Sequence, residues 1–422
     1  LVGLIYREHA SVSYLAVAVL CLILGVLLTH KKPRSTNLYT REGFVAVALS
    51  WIIMSIFGAI PFVLTGDIPF YVDALFETIS GFTTTGSSIL TDVESISKAS
   101  LFWRSFSHWI GGMGVFVFIM AILPMMGGST MNLMKAESPG PSVSKLVPHV
   151  KDTAKILYGI YIAITICEAT ILRALGMPLF DSLTTTFGTV GTGGFGIRND
   201  SIAGYSPAIQ ITITVFMILS GINYTAYFYI LTGKIKELFK IEEVRWYLAI
   251  IFGSVAVITW NVRSLYPTFS ETLRHAFFQV GSIITTTGYA TTDFDLWPAL
   301  SKTLLVTLMF IGACAGSTGG GFKVSRILIL CKTVRKELHI FLHPNAVKKI
   351  KMDGKAIPHE VVRSTNIFFI VYVLIFASSV FLIAFDDFDL ITNFTAVAAT
   401  FNNIGPGLEL AGPTGNFGMF SW

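Results

Sequence analysis

The chain has 422 residues, of which 53% are hydrophobic and 13% charged, with a formal net charge of +5 and a mean hydropathy of +0.68. A soluble domain carries about 25% charged residues, so a single water-soluble globule is excluded. Cys21, Cys167, Cys314 and Cys331 form neither a C-x-x-C pair nor a disulfide framework and read as small apolar residues inside helices.

In chain order, residues 1–6 read as the tail of a helix, and apolar runs follow at 12–29, 43–65, 102–125, 154–175, 207–232, 247–262, 299–333 and 365–385. Their lengths approach or exceed the roughly 20 residues that cross a bilayer core. The fold class expected is an all-α polytopic membrane protein. Lys31, Lys32, Arg34 and Arg41 follow the first of these runs, and Lys135, Lys145, Lys151 and Lys155 follow the third. Lys234, Lys236, Lys240 and Arg245 fill the next basic loop, and the segment 332–355 is the longest. These loops are placed in the cytoplasm by the positive-inside rule. The alternate loops carry Asp67, Asp73, Asp92, Glu94, Asp181, Asp200, Asp293, Asp295, Asp386, Asp387, Asp389 and Glu409 and belong outside. Negative charge at an outer mouth concentrates cations; simple exclusion of positive charge from that face explains the same pattern.

Between outward and inward runs lie four stretches too short to span, 73–82, 181–188, 275–284 and 392–401. Each leads into Thr, Gly or Asn, as a half-helix that enters from outside and returns as an extended loop would. Such backbone is tolerated at membrane depth only where it is buried or lines water. The four align without gaps as DALFETISGFTTTGS (73–87), DSLTTTFGTVGTGGF (181–195), HAFFQVGSIITTTGY (275–289) and TNFTAVAATFNNIGP (392–406). The first and third share a Thr-Thr-Thr-Gly run, Thr83, Thr84, Thr85, Gly86 and Thr285, Thr286, Thr287, Gly288. The second holds Gly191, Thr192, Gly193 and Gly194 in those columns, and the fourth Asn402, Asn403, Ile404 and Gly405.

These residue types suit cation dehydration. Backbone carbonyls from four extended loops can replace an ion's hydration shell. Glycine opens backbone angles closed to other residues, and threonine adds a neutral oxygen where a carboxylate would hold the ion too tightly. Half-helices ending at the loops point the negative ends of their dipoles at the path. The unequal loops predict an asymmetric ion path.

The motifs SGFTTTGSS (80–88), TVGTGGFG (189–196), SIITTTGYA (282–290) and FNNIGPGLE (401–409) resemble the filter loops of the TrkH, KtrB and HKT potassium-transporter superfamily. PMMGG (124–128), AESPGP (136–141), INYTAYF (222–228), RWYL (245–248), CAGSTGGGFKVSR (314–326) and HPNAV (343–347) make the chain most similar to the TrkH family. The resemblance implies four units of M1, pore helix and M2 in pseudo-fourfold arrangement around one central pore. The extra N-terminal helices would take 1–40, and the repeats 41–135, 136–240, 241–355 and 356–422, the final M2 and its basic residue lying beyond Trp422. It further implies a multi-pass protein of the bacterial inner membrane, a homodimer, and a cytoplasmic TrkA-like nucleotide-binding regulatory subunit. Potassium is the implied substrate, bound at the sixteen aligned loop positions; no cofactor and no nucleic-acid partner are expected. By the same resemblance, a Gly in all four columns looks like the potassium-selective pattern; some plant members carry Ser at the first position and favour sodium.

The run from 299 is interrupted by Gly312, Cys314, Gly316, Ser317, Thr318, Gly319, Gly320 and Gly321. A glycine costs a helix interior about 1 kcal/mol relative to alanine, so the helix is expected to break in mid-membrane. The favoured reading is a flexible loop that gates the pore from inside; close helix packing through small residues is the alternative. A phosphate loop is excluded, because Phe322 intervenes before Lys323 and Val324 stands where Ser or Thr is required. Glu77 and Glu168 lie in apolar surroundings, and Glu77, on the first pore helix, is expected to brace the filter by hydrogen bonds. His108 reads as a core or interfacial residue. The basic 332–355 stretch suits either a cytoplasmic partner or orientation and contact with membrane lipid. No metal-spaced His, Cys or carboxylate set and no nucleophile elbow points to an enzyme. A sodium- or proton-coupled symporter of KtrB type remains the alternative, since channel and carrier share the filter.

Overall fold

The computed structural model describes residues 1–30, 40–114, 150–238, 240–346 and 348–421. The motifs at 124–128 and 136–141, with Lys135 and Lys145, lie outside the described residues. The described residues are mostly helical. After a short turn at Val2–Ile5 come α1 (Ala10–Thr29), α2 (Thr40–Thr65), α3 (Tyr71–Phe82) and α4 (Lys98–Met113). The middle holds α5 (Val150–Ala174), α6 (Leu179–Val190), α7 (Pro207–Ser220), α8 (Tyr224–Leu231) and α9 (Glu242–Asn261). The remainder is α10 (Phe269–Ile284), α11 (Ala299–Ile311), α12 (Val324–Leu342), α13 (His359–Ile383) and α14 (Leu390–Phe401).

Among the described residues five helices are long and apolar enough to cross a membrane, or six if the bent α7–α8 pair counts as one span. The α13 window is 0% buried within the chain, and α1 only 6%, so their apolar side chains face outward as lipid-facing helices require. The short helices are held inside this shell. α3 packs on α2 and α4, α6 on α4 and α5, α10 on α7 and α9, and α14 on α13 and α11. Local caps set where they begin. Asp389 caps α14 by accepting from the Ile391 and Thr392 amides at 2.9 and 3.0 Å. Thr268 caps α10 by accepting from Glu271 N–H at 3.2 Å.

Two spans differ from a continuous-helix reading. The 207–232 run, expected as one span, bends by 94° between α7 and α8. Gly221 ends α7, and the Asn223 side chain restarts the helix by accepting from Thr225 N–H at 2.8 Å. The 299–333 run breaks between α11 and α12, as its glycines predict. On the basic side, Lys351–Met352 and Lys355–Ala356 pair as a small antiparallel hairpin.

Candidate functional site

The four short helices end in the same way. In each, the second loop column donates to a carbonyl three residues back, and the third donates five residues back. The pairs are Thr84 to Gly81 and Thr85 to Ser80 (3.1 and 2.8 Å), and Thr192 to Thr189 and Gly193 to Gly188 (3.1 and 2.9 Å). They recur as Thr286 to Ile283 and Thr287 to Ser282 (3.1 and 2.9 Å), and Asn403 to Thr400 and Ile404 to Ala399 (3.2 and 2.8 Å). This is the Schellman termination, which puts a left-handed residue just past the helix and satisfies its last carbonyls. The left-handed residues are Thr84, Thr192, Thr286 and Asn403, at φ +57°, +55°, +59° and +56°. For threonine such a backbone costs about 1–3 kcal/mol and persists only where its surroundings over-determine it. The glycine column comes two residues later, at φ +78°, +79°, +85° and +98° for Gly86, Gly194, Gly288 and Gly405.

The loops interlock in cyclic order. A Cβ on Gly86 would strike the Gly193 carbonyl, one on Gly194 the Thr287 carbonyl, and one on Gly288 the Ile404 carbonyl. One on Gly405 would meet Gly86 and the Thr85 carbonyl within about 3.3 Å, which returns to the first loop. The angle favours glycine at all four positions, the space excludes any side chain at Gly86, Gly194 and Gly288, and the fit at Gly405 is tight. Side chains reinforce the junction of loops four and one: Ser87 Oγ donates to Gly405 O at 3.1 Å, and Thr85 Oγ1 to Asn403 Oδ1 at 3.2 Å.

A cavity lies on either side of this layer. The outer one, about 240 Å³, is lined by all four glycines with Ser87 and Ser88. The inner one, about 440 Å³, is lined by Thr83, Thr84 and Asn403 above, and by residues 316–321 with Lys323 below. The layer thus carries glycine backbone on its outer side and the first loop columns on its inner side.

Behind the loops stand braces. Glu77 and Arg104 form a buried ion pair at 2.7 Å. Glu77 also accepts from Ser88 Oγ and Ile89 N–H at 2.9 and 3.1 Å, and Arg104 Nη1 donates to Gly196 O at 3.2 Å. The expected bracing by Glu77 is present. Its partner was missed, although an arginine inside the apolar 102–125 run is itself a signal that a counter-charge is near. Arg104 also lies 4.1 Å from the centre of the Phe195 ring, and His108 stacks on that ring at 4.2 Å. His108, read as a core residue, is buried and accepts through Nδ1 from Phe195 N–H at 3.4 Å, so it serves the second loop directly. Tyr372 donates to Asn402 Oδ1 at 2.5 Å. Glu168 is fully buried, and neither of its oxygens has a hydrogen-bond partner among the described residues.

The Gly-rich break lies under the third and fourth loops. Gly320 N–H donates to Thr286 Oγ1 at 2.5 Å and Gly321 N–H to Asn402 O at 3.1 Å. Gly312, Gly316 and Gly321 have φ of +71°, +72° and +76°, which a continued helix could not accommodate. Lys323 returns its ammonium to the Gly319 carbonyl. Below Gly319, Ser317 Oγ donates to Cys314 O at 2.6 Å, and Thr318 Oγ1 reaches Ser220 O at 3.2 Å. The bend of the second unit meets this break: Cys314 N–H donates to Gly221 O at 3.0 Å, and Tyr224 N–H to Gly316 O at 2.9 Å. The INYTAYF and CAGSTGGG segments are therefore one structure.

Many outer acidic residues are locally engaged. Asp67 accepts from Ser97 and Ser100, Asp181 from Tyr205, and Asp295 pairs with Lys302 at 3.4 Å. The Asn199 amide, with the Glu94 backbone, holds the Asp92 carboxyl below its ordinary range. Among the described residues no group of three or more His, Cys, Asp and Glu side chains is arranged to hold a metal ion.

Comparison with known proteins matches residues 10–414 to the TrkH family, described as a cation transport protein. The Trk system potassium uptake protein TrkH of Salmonella typhimurium is 39% identical over 97% of this chain and 86% of its own length. TrkG of Escherichia coli strain K12, also a Trk system potassium uptake protein, is 34% identical over 96% of the chain and 85% of its own. The crystal structure of the potassium transporter TrkH from Vibrio parahaemolyticus superposes with a TM-score of 0.86 at 35% identity, covering 99% of this chain and 87% of that one. On the matched family, on these identities and on the shared fold, the chain belongs to the TrkH family of cation transport proteins.

Proposed function

We propose that the protein takes up potassium across the bacterial inner membrane, with the four interlocked loops as its selectivity filter. The single observation that carries this reading is the cyclic order in which Gly86, Gly194, Gly288 and Gly405 each seat against the next loop's carbonyls, between an outer and an inner cavity. Four units in pseudo-fourfold arrangement around one path account for it. The filter oxygens are backbone carbonyls and Thr or Asn side chains, all neutral, as passage rather than tight capture requires. The curated relatives that carry the name Trk system potassium uptake protein support the choice of ion.

In this reading the loop of residues 312–323 is the gate. It contacts the inner side of the third and fourth loops and forms the floor of the inner cavity. A homodimer and a cytoplasmic TrkA-like subunit, acting on the basic face, complete the proposal. Coupled symport of KtrB type is a second reading, favoured by one observation: the buried Glu168 carboxylate lacks a hydrogen-bond partner among the described residues, and intramembrane carboxylates mark proton relays.

The test is uptake of potassium, rubidium, sodium and lithium into proteoliposomes, with and without proton or sodium gradients. Potassium and rubidium are expected to enter well ahead of sodium and lithium. Uptake that needs a second gradient transfers the case to the symporter. Gly86→Ser is expected to weaken discrimination against sodium; unchanged selectivity would remove the first loop from the filter.

A further inference from the structure

Glu242 and Glu243 are neighbours in the first turn of α9 and engage two different structures. Glu243 is buried, at 5% exposure. Its Oε1 accepts from Ala315 N–H at 2.6 Å and from Ser325 N–H at 3.1 Å. Ala315 lies just inside the Gly-rich break, and Ser325 in the first turn of α12 where the helix resumes. One carboxylate oxygen thus pins both ends of the 315–325 connection, through two charge-assisted bonds of the stronger kind.

Glu242 reaches the other way. Its Oε2 takes the Lys332 ammonium at 2.5 Å, and that ammonium also donates to Lys351 O at 2.8 Å. The Glu242 backbone N–H donates to Asp353 Oδ1 at 2.7 Å. Lys351 and Asp353 belong to the hairpin on the basic face. Adjacent residues within one helical turn cannot shift independently, so the hairpin and the two loop ends are fastened to the same piece of backbone.

We propose that the Glu242–Glu243 pair is the mechanical link that ties the position of the cytoplasmic hairpin to the Gly-rich loop, with Glu243 as the positioning residue of that loop. The inference rests on the reading of residues 312–323 as the gate. Displacing the hairpin moves the first turn of α9, loosens the hold on Ala315 and Ser325, and frees the loop from beneath the third and fourth filter loops. A two-state element biased from both ends is what such coupling physically needs.

The experiment measures amide hydrogen exchange and rubidium flux on the full chain in proteoliposomes. Glu243→Met should speed exchange at Ala315 and Ser325 about tenfold, the scale of one lost hydrogen bond to a charged group, and raise basal flux several-fold. Glu243→Gln keeps an acceptor oxygen without the charge and should leave these two amides about threefold faster than wild type, well short of the Met variant, which a volume change alone would not predict. Lys332→Met touches neither amide, yet should speed the same exchange. Wild-type exchange at both amides in Glu243→Met overturns the pin, and wild-type exchange there in Lys332→Met overturns the link. If Glu243→Met also speeds exchange throughout α10 and α14, the fold is lost, and Glu243→Gln decides: faster exchange confined to the two amides supports the pin, and none overturns it. A chain with 317–320 deleted separates the two readings. Unchanged flux in that chain, beside accelerated exchange in Glu243→Met, rejects the gate and leaves the link standing.

Discussion

The layer of four loops and the layer beneath it are built on opposite plans. Above, four loops of unequal sequence share one helix termination, one left-handed residue and one glycine. Below, α7–α8 bends by 94° at Gly221, while α11–α12 opens into an irregular loop. An ion-binding ring needs equivalent backbones, and the Schellman cap supplies them even where Thr-Thr-Thr becomes Asn-Asn-Ile. A gate needs the reverse: one element able to move while its neighbours hold it. Repetition above and departure from it below are consistent with selection and closure being assigned to separate layers.

The largest expected effect on transport tests the interlocking. Gly288→Ala places a methyl against the Ile404 carbonyl at a φ of +85° and should cut potassium uptake more than tenfold at equal expression, a loss of over about 1.4 kcal/mol. Gly253→Ala, in the middle of α9 with nothing within 4 Å of the added carbon, should transport normally. Equal uptake by both would dissolve the distinction between the filter and an ordinary helix. Next is the buried brace. Arg104→Met strands the Glu77 carboxylate and should cost about 3–5 kcal/mol of stability, read as a fall in thermal midpoint; Glu77→Met with Arg104→Met should regain much of it. No rescue in the double variant would show that Arg104 acts through Gly196 instead. The smallest effect is expected of Tyr372→Phe, which removes the 2.5 Å bond to Asn402 at about 1 kcal/mol. A shift of less than threefold in the potassium-to-sodium ratio is expected from competitive flux, and a larger one would make the fourth loop dominant in selection.

The short helices and the glycine column were legible because their signals are local. A glycine forced to positive φ and a run too short to span are visible in the residues themselves. The left-handed threonines were not, since threonine avoids that region and only the assembled ring holds Thr84, Thr192 and Thr286 there; Asn403 alone gave a hint. The bend at Gly221 carried a signal in its Gly-Ile-Asn turn but was hidden inside an apolar run long enough to span. Arg104 and Glu243 find their partners across other helices, at separations that no local pattern reveals.

The Glu77–Arg104 pair has a consequence for biogenesis. Loops one and four meet across 318 positions of sequence. During synthesis the first loop enters the bilayer long before its last neighbour exists, and unpaired backbone in hydrocarbon is costly. The contacts available at that stage are those within the first repeat: Arg104 with Glu77, Glu77 with Ile89 N–H, and Trp103 Nε1 with Gly58 O at 3.0 Å. A buried ion pair adds little to the finished protein compared with an apolar pair of the same shape. Because both partners lie early in the chain, the pair can form before the fourth loop is made and hold the first loop in shape until the segment that closes the ring arrives.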